Sequence, residues 1–157
     1  MQEEPDWQVL NHGVNGERSD EILARFQRDV VDHRPSVVVI IAGVNDVYQG
    51  REPQHVIDQL ATMYARAAQA NIPVVAGSIV PYNTATAEQN RRMGEINDWI
   101  RKRAAEDPNV AFADTRAATA AATDPDLLFD SPDGLHPSPE GYQRMAEVIR
   151  IALKQLR

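Results

Sequence analysis

Five consecutive branched apolar residues, Val37, Val38, Val39, Ile40 and Ile41, restrict the fold of this chain more than any other feature. A run that is apolar at every position suits a strand covered on both faces, the usual condition of a parallel sheet between helices. Segments 7–10, 74–79 and 110–113 are further short runs, β-branched or aromatic and without helical spacing. Between them lie apolar stripes at helical spacing, among them Ile22, Leu23, Phe26 and Val30, and Val56, Ile57, Leu60, Met63, Tyr64 and Ala67. Met93, Ile96 and Ile100 form a third stripe, and Tyr142, Met145, Ile149 and Leu153 a fourth. Ser19 occupies an N-cap position, Pro53 and Pro139 suit first helical positions, and Pro35 closes the first helix. Strands alternating with helices through short loops predict parallel pairing by right-handed crossovers. The expectation is a single α/β domain over residues 1–157, a three-layer αβα sandwich. Stretch 115–123, rich in alanine and threonine, reads as a loop or short helix.

Composition narrows the partners. With 16 basic against 23 acidic residues the formal charge is −7, and no basic block interrupts the chain. That balance disfavours nucleic acid and anionic membrane, which require a positive footprint. The absence of cysteine removes disulfides, thiolate nucleophiles and thiolate metal sites. It is compatible with a reducing cytosol. No apolar run is long enough to span a bilayer, and Gln2, Glu3, Glu4 and Pro5 are unlike a signal peptide. A cytoplasmic location follows only if Met1 is the natural start.

In open α/β sheets ligands bind beyond the carboxyl ends of the strands, and the unusual polar residues of this chain collect there. Asn11, His12, Gly13, Val14, Asn15 and Gly16 follow the first expected strand; Gly43, Val44, Asn45 and Asp46 follow the second; Pro81, Tyr82 and Asn83 follow the third. Asp133, Gly134, Leu135, His136 and Pro137 precede the last helix, and their prolines and glycine favour a turn. A carboxylate so near an imidazole can accept its Nδ1–H, fix the tautomer and leave Nε2 as a general base. The alternative is a capped turn in which Asp133 only bonds backbone amides and His136 is merely exposed. Asn45 offers a neutral donor to a developing oxyanion, or else forms a plain Asn-Asp turn. Gly16 offers a backbone N–H that a substrate oxygen can approach, or is an ordinary turn glycine.

Together the stretches 11–17, 43–46 and 133–137 resemble the second, third and fifth sequence blocks of the SGNH (GDSL) hydrolases, in the family's order and spacing and over essentially the whole chain. The resemblance implies a flavodoxin-like αβα sandwich. It also implies Gly16 and Asn45 as oxyanion donors, His136 as catalytic base and Asp133 as its orienting acid. The function implied is a serine-type carboxylic ester hydrolase acting on a small ester, without cofactor or metal.

The family's first block, a Gly-Asp-Ser turn after the first strand, has no counterpart here. Ser19 and Ser138 read as helix caps, Ser36 and Ser131 adjoin prolines, and Ser78 lacks the small neighbours of a nucleophile turn. The resemblance therefore places the nucleophilic serine upstream of Met1, and the chain is expected to be N-terminally shortened, with its first strand missing and little activity of its own. A lost strand would leave unpaired backbone beside residues 37–41, to be closed by rearrangement or by self-association. Two other functions compete: a non-catalytic module holding an acyl chain or sugar in the same cleft, and a metal hydrolase using His12, His136, Asp133 and Asp46. Their spacings match no strong zinc pattern. Trp99 is expected to pack, His33 and His55 to lie on helix surfaces, and Arg91 and Arg92 to form a solvated face.

Overall fold

A computed structural model describes residues 7–156. The expected alternation appears as α1 (Ser19–Asp29), β1 (Val38–Ile40), α2 (Val44–Tyr48), α3 (Pro53–Gln69), β2 (Val74–Gly77), α4 (Ala87–Glu106) and β3 (Val110–Ala113). A short α5 (Thr115–Thr119) leads into a small antiparallel pair, β4 (Ala120–Ala121) and β5 (Asp124–Leu128), before α6 (Pro139–Leu153). Stretch 115–123 is thus a helix turning into a hairpin. Pro53 and Pro139 both open their helices, where a missing N–H costs nothing.

The three main strands are parallel in the order β1-β2-β3, with Val38 beside Val74 and Val74 beside Val110. On one face Ile40, Val74, Ala76 and Val110 pack into the main core with Phe26 of α1, Leu60 and Met63 of α3, and Met93, Ile96 and Ile100 of α4. On the other face Val75, Ala111 and Ala113 meet Ala152, Val148 and Ile149 of α6. Helices, sheet and helix make three layers, as expected.

The two faces are unequally covered. Along one row of the second face Val75 is fully buried and Ala111 nearly so, but Val39 on β1 is 42% exposed, because α6 covers β2 and β3 and stops short of β1. Among the described residues no strand pairs with the outer edge of β1. The expected strand at 7–10 does not form. It enters no sheet, and Val9 and Leu10 are exposed. A strand is stabilised by its ladder, and a β-prone sequence without a neighbouring strand stays irregular.

Ser19 is not the N-cap of α1; Arg18 is, and Ser19 is the first helical residue, fully buried. Trp99 packs as expected, stacked on Tyr64 at 5.8 Å between ring centroids. Arg92 departs from a solvated face: it donates to the carbonyls of Gly50 and Arg51 and pairs with Glu52, tying α4 to the α2–α3 loop. His55 is only partly exposed, and its Nε2 is buried without a partner among the described residues.

Candidate active site

The turn at 131–136 carries the titratable pair. Asp130 and Gly134 take positive φ, +46° and +73°, and reverse the chain before α6. Asp133 Oδ1 accepts the backbone N–H groups of Leu135 and His136, each at 2.8 Å. Its Oδ2 lies 2.7 Å from His136 Nδ1. One carboxylate oxygen thus caps the backbone and the other takes the ring. The His136 ring proton first, then the His136 and Leu135 amides, hold the Asp133 carboxyl well below the usual carboxylate range. An ionised Asp133 requires Nδ1 to be the donor, so Nε2 carries the free lone pair. The imidazole is 68% exposed, open to a reacting group.

Asn83, in the loop after β2, secures this turn from outside. Its backbone N–H donates to the Gly134 carbonyl at 2.7 Å, and its side-chain Oδ1 accepts the Leu128 N–H at 2.8 Å. Asn97 on α4 bonds both the N–H and the carbonyl of Ile79, fixing the start of that loop.

Asn45, just beyond β1, is tied through Glu17 to the turn that carries Gly16. Gly16 sits at φ +80° in the exposed turn before α1. Asn45, in the first turn of α2, donates one Nδ2 proton to the Glu17 carbonyl at 2.9 Å, which leaves its second proton unused in that bond. Gly43 adopts φ +117°, and a Cβ there would lie 2.8 Å from Val56 and 2.9 Å from Ile79, so only glycine lets the chain turn from β1 into α2. Asp46 points inward and is fully buried. Its two oxygens accept the N–H and the hydroxyl of Ser19, each at 2.8 Å, which locks the start of α1 to α2.

The structure thus brings Asp133 to His136 and Asn45 to the Gly16 turn. The loop after β2 touches the elements that carry both pairs: Tyr82 makes an edge contact with Tyr48 of α2 (5.9 Å), and Asn83 bonds the Gly134 carbonyl. Ile41, Ala42, Val44, Ile79 and Val80 line a small apolar recess beside Asn45.

The four residues of the metal reading do not gather: Asp46 is engaged with Ser19, Asp133 with His136, and His12 lies against the His33 ring. Among the described residues the one set of three potential ligands is Asp20, Asp46 and His55, within 4.8 Å of one another, with Arg18 already bonded to Asp20.

All five serines fall in the described part of the chain. Ser19 donates to Asp46 and Ser78 to Asp114, Ser138 caps α6, and Ser131 bonds the backbone of its own turn. Ser36 is exposed beside Pro35. None bonds the His136 ring.

A profile of the GDSL-like lipase/acylhydrolase family matches residues 1–144. The chain belongs to this family. An acetylxylan esterase of Geobacillus stearothermophilus is 28% identical over 154 residues, with 90% of this chain and 69% of that protein covered. An arylesterase of Vibrio mimicus is 28% identical over 145 residues, covering 92% of this chain and 68% of the relative. A GDSL-like lipase from Bacteroides thetaiotaomicron superposes with a TM-score of 0.82 at 25% identity, over 90% of this chain and 73% of the other. These likenesses make the protein an acylhydrolase-family α/β chain whose named relatives are esterases.

Sequence reasoning missed three residues around this candidate site: Asn83 and Asn97 as loop anchors, and Asp46 as an internal tie. Asn83 was visible only as a polar residue after a strand. The inward turn of Asp46 had no signal beyond its place beside Asn45.

Proposed function

We propose that this chain carries the acid–base and oxyanion parts of a carboxylic ester hydrolase. The observation that carries the reading is the 2.7 Å contact of Asp133 Oδ2 with His136 Nδ1, on a turn whose other carboxylate oxygen is already committed to the backbone. In the reaction a serine Oγ attacks the ester carbonyl while His136 Nε2 takes its proton. The Gly16 N–H and the free Asn45 N–H stabilise the tetrahedral oxyanion, and the proton passes to the departing alcohol. Water, deprotonated by the same imidazole, then releases the acid and restores the serine. The ester is small, of the acetylated-sugar or aryl kind acted on by the named relatives.

No serine hydroxyl among the described residues bonds the His136 imidazole, and this favours a nucleophile supplied from a segment upstream of Met1. On that reading, residues 1–157 form one N-terminally shortened domain. The outer edge of β1, unpaired among the described residues and carrying exposed Val39, is where such a segment, or a second copy of the chain, would pair. The same observation supports a second reading, a module that binds an ester or its product without turning it over.

Hydrolysis of 4-nitrophenyl acetate by residues 1–157, with His136→Ala as control, tests the assignment. The expected rate is hardly above buffer. Turnover that disappears in the His136 variant would show that a nucleophile lies within these residues. A polypeptide extended upstream that hydrolyses the ester only when His136 is intact supports the catalytic reading; binding without turnover in that longer form supports the module.

A further inference from the structure

One hydroxyl in the acid–base turn is absorbed neither by the dyad nor by the helix caps. Ser131 Oγ donates to the His136 carbonyl at 2.6 Å and accepts the Gly134 N–H at 2.8 Å. It therefore joins the first residue of the turn to the last, across the residues between which Asp133 bridges to the ring. The two ends of His136 are held by different groups. Its N–H is fixed by Asp133 Oδ1, but its carbonyl is fixed by Ser131. The next residue is Pro137, so the His136–Pro137 peptide unit carries no N–H, and the carbonyl is its one hydrogen-bonding handle. Rotation of that peptide unit would swing the His136 backbone and carry the ring away from Asp133 Oδ2. Ser131 also lies 3.4 Å from Asp133 Oδ1, too far to compete with the carbonyl for its single proton.

We propose that Ser131 is the positioning residue of this pair: its hydroxyl fixes the His136 carbonyl and thereby holds the imidazole in the Nδ1–H tautomer with Nε2 outward. The functional meaning of that tautomer rests on the reading of His136 as a general base; the tautomer itself does not. Ser131 touches no reacting atom and acts only through His136.

The experiment is nitrogen-15 NMR of the imidazole in residues 1–157, above the pH at which the ring is charged, for the wild type and for Ser131→Ala, Ser131→Thr and Asp133→Asn. The wild type should show mainly Nδ1–H. In Ser131→Ala the ratio of Nδ1–H to Nε2–H should fall about two- to tenfold, the equivalent of one net hydrogen bond, and Ser131→Thr should restore it. Asp133→Asn should reverse the preference and calibrates the scale. A Ser131→Ala spectrum with the wild-type ratio overturns the proposal, including the case in which only the melting temperature drops, since a merely structural hydroxyl would do that. If the alanine variant does not fold, Ser131→Cys keeps the size and weakens the hydrogen bond, and its ratio decides in the same way. Failure of the catalytic reading would appear elsewhere, as ester hydrolysis by the longer polypeptide that survives His136→Ala.

Discussion

The bonds made within the Asp133–His136 turn span two to five residues, whereas the Asn45 amide reaches a carbonyl 28 residues away and Asp46 reaches a helix start 27 residues away. The first half of the site is nearly self-contained and half-exposed. The second exists only when α1, β1 and α2 have come together, and its key carboxylate is fully buried. Chemistry and stability are therefore distributed unequally. Substitutions in the local half should alter function with little change in folding, and substitutions in the distant half should threaten the domain.

The largest effect expected is at His136. Its replacement by alanine in a polypeptide that carries its nucleophile should lower kcat by on the order of 10³-fold or more, with urea unfolding unchanged within about 0.5 kcal/mol. Asn45→Ala should reduce turnover on the order of a hundredfold, and it should also release the Glu17 carbonyl and weaken folding. Asp46→Ala leaves the buried N–H and hydroxyl of Ser19 without partners and should cost roughly 3 kcal/mol, read from the urea midpoint of residues 1–157. A mild Asp46→Ala beside a His136→Ala that unfolds the chain would invert the comparison.

Two smaller effects sharpen it. Gly134→Ala places a Cβ 3.3 Å from Asn83 at φ +73° and should lower stability by about 1 kcal/mol, measured by thermal unfolding. The smallest concerns pH. The folded carboxyl of Asp133 is depressed below its ordinary 3.8, so its contribution is complete above that value and is lost as the solution is acidified below about 4. Asp133→Asn should flatten the fall of the urea midpoint between about pH 4 and pH 2.

The same division explains what could be read in advance. The β1 run, the prolines opening α3 and α6, and the aspartate and histidine three residues apart are local signals, and each led to the right element. The strand expected at 7–10 failed because strand formation depends on a neighbour, which no property of Trp7, Val9 or Leu10 records. The cap assigned to Ser19 failed for a similar reason: the group that bonds its N–H is Asp46, distant in sequence. Val39 and Val75 look alike as residues and differ in burial because α6 reaches one and not the other. The fold class and the contact between Asp133 and His136 were legible, whereas the long-range ties that join α1 to α2 were not.

Asn83 has a practical consequence for anyone reshaping this protein. Because one residue joins the loop after β2 to both Leu128 and Gly134, lengthening or exchanging either loop alone would shift the imbalance directly onto the imidazole. Grafts from relatives should carry segments 81–85 and 128–136 as one cassette, so that the two loops and the bonds between them are inherited together.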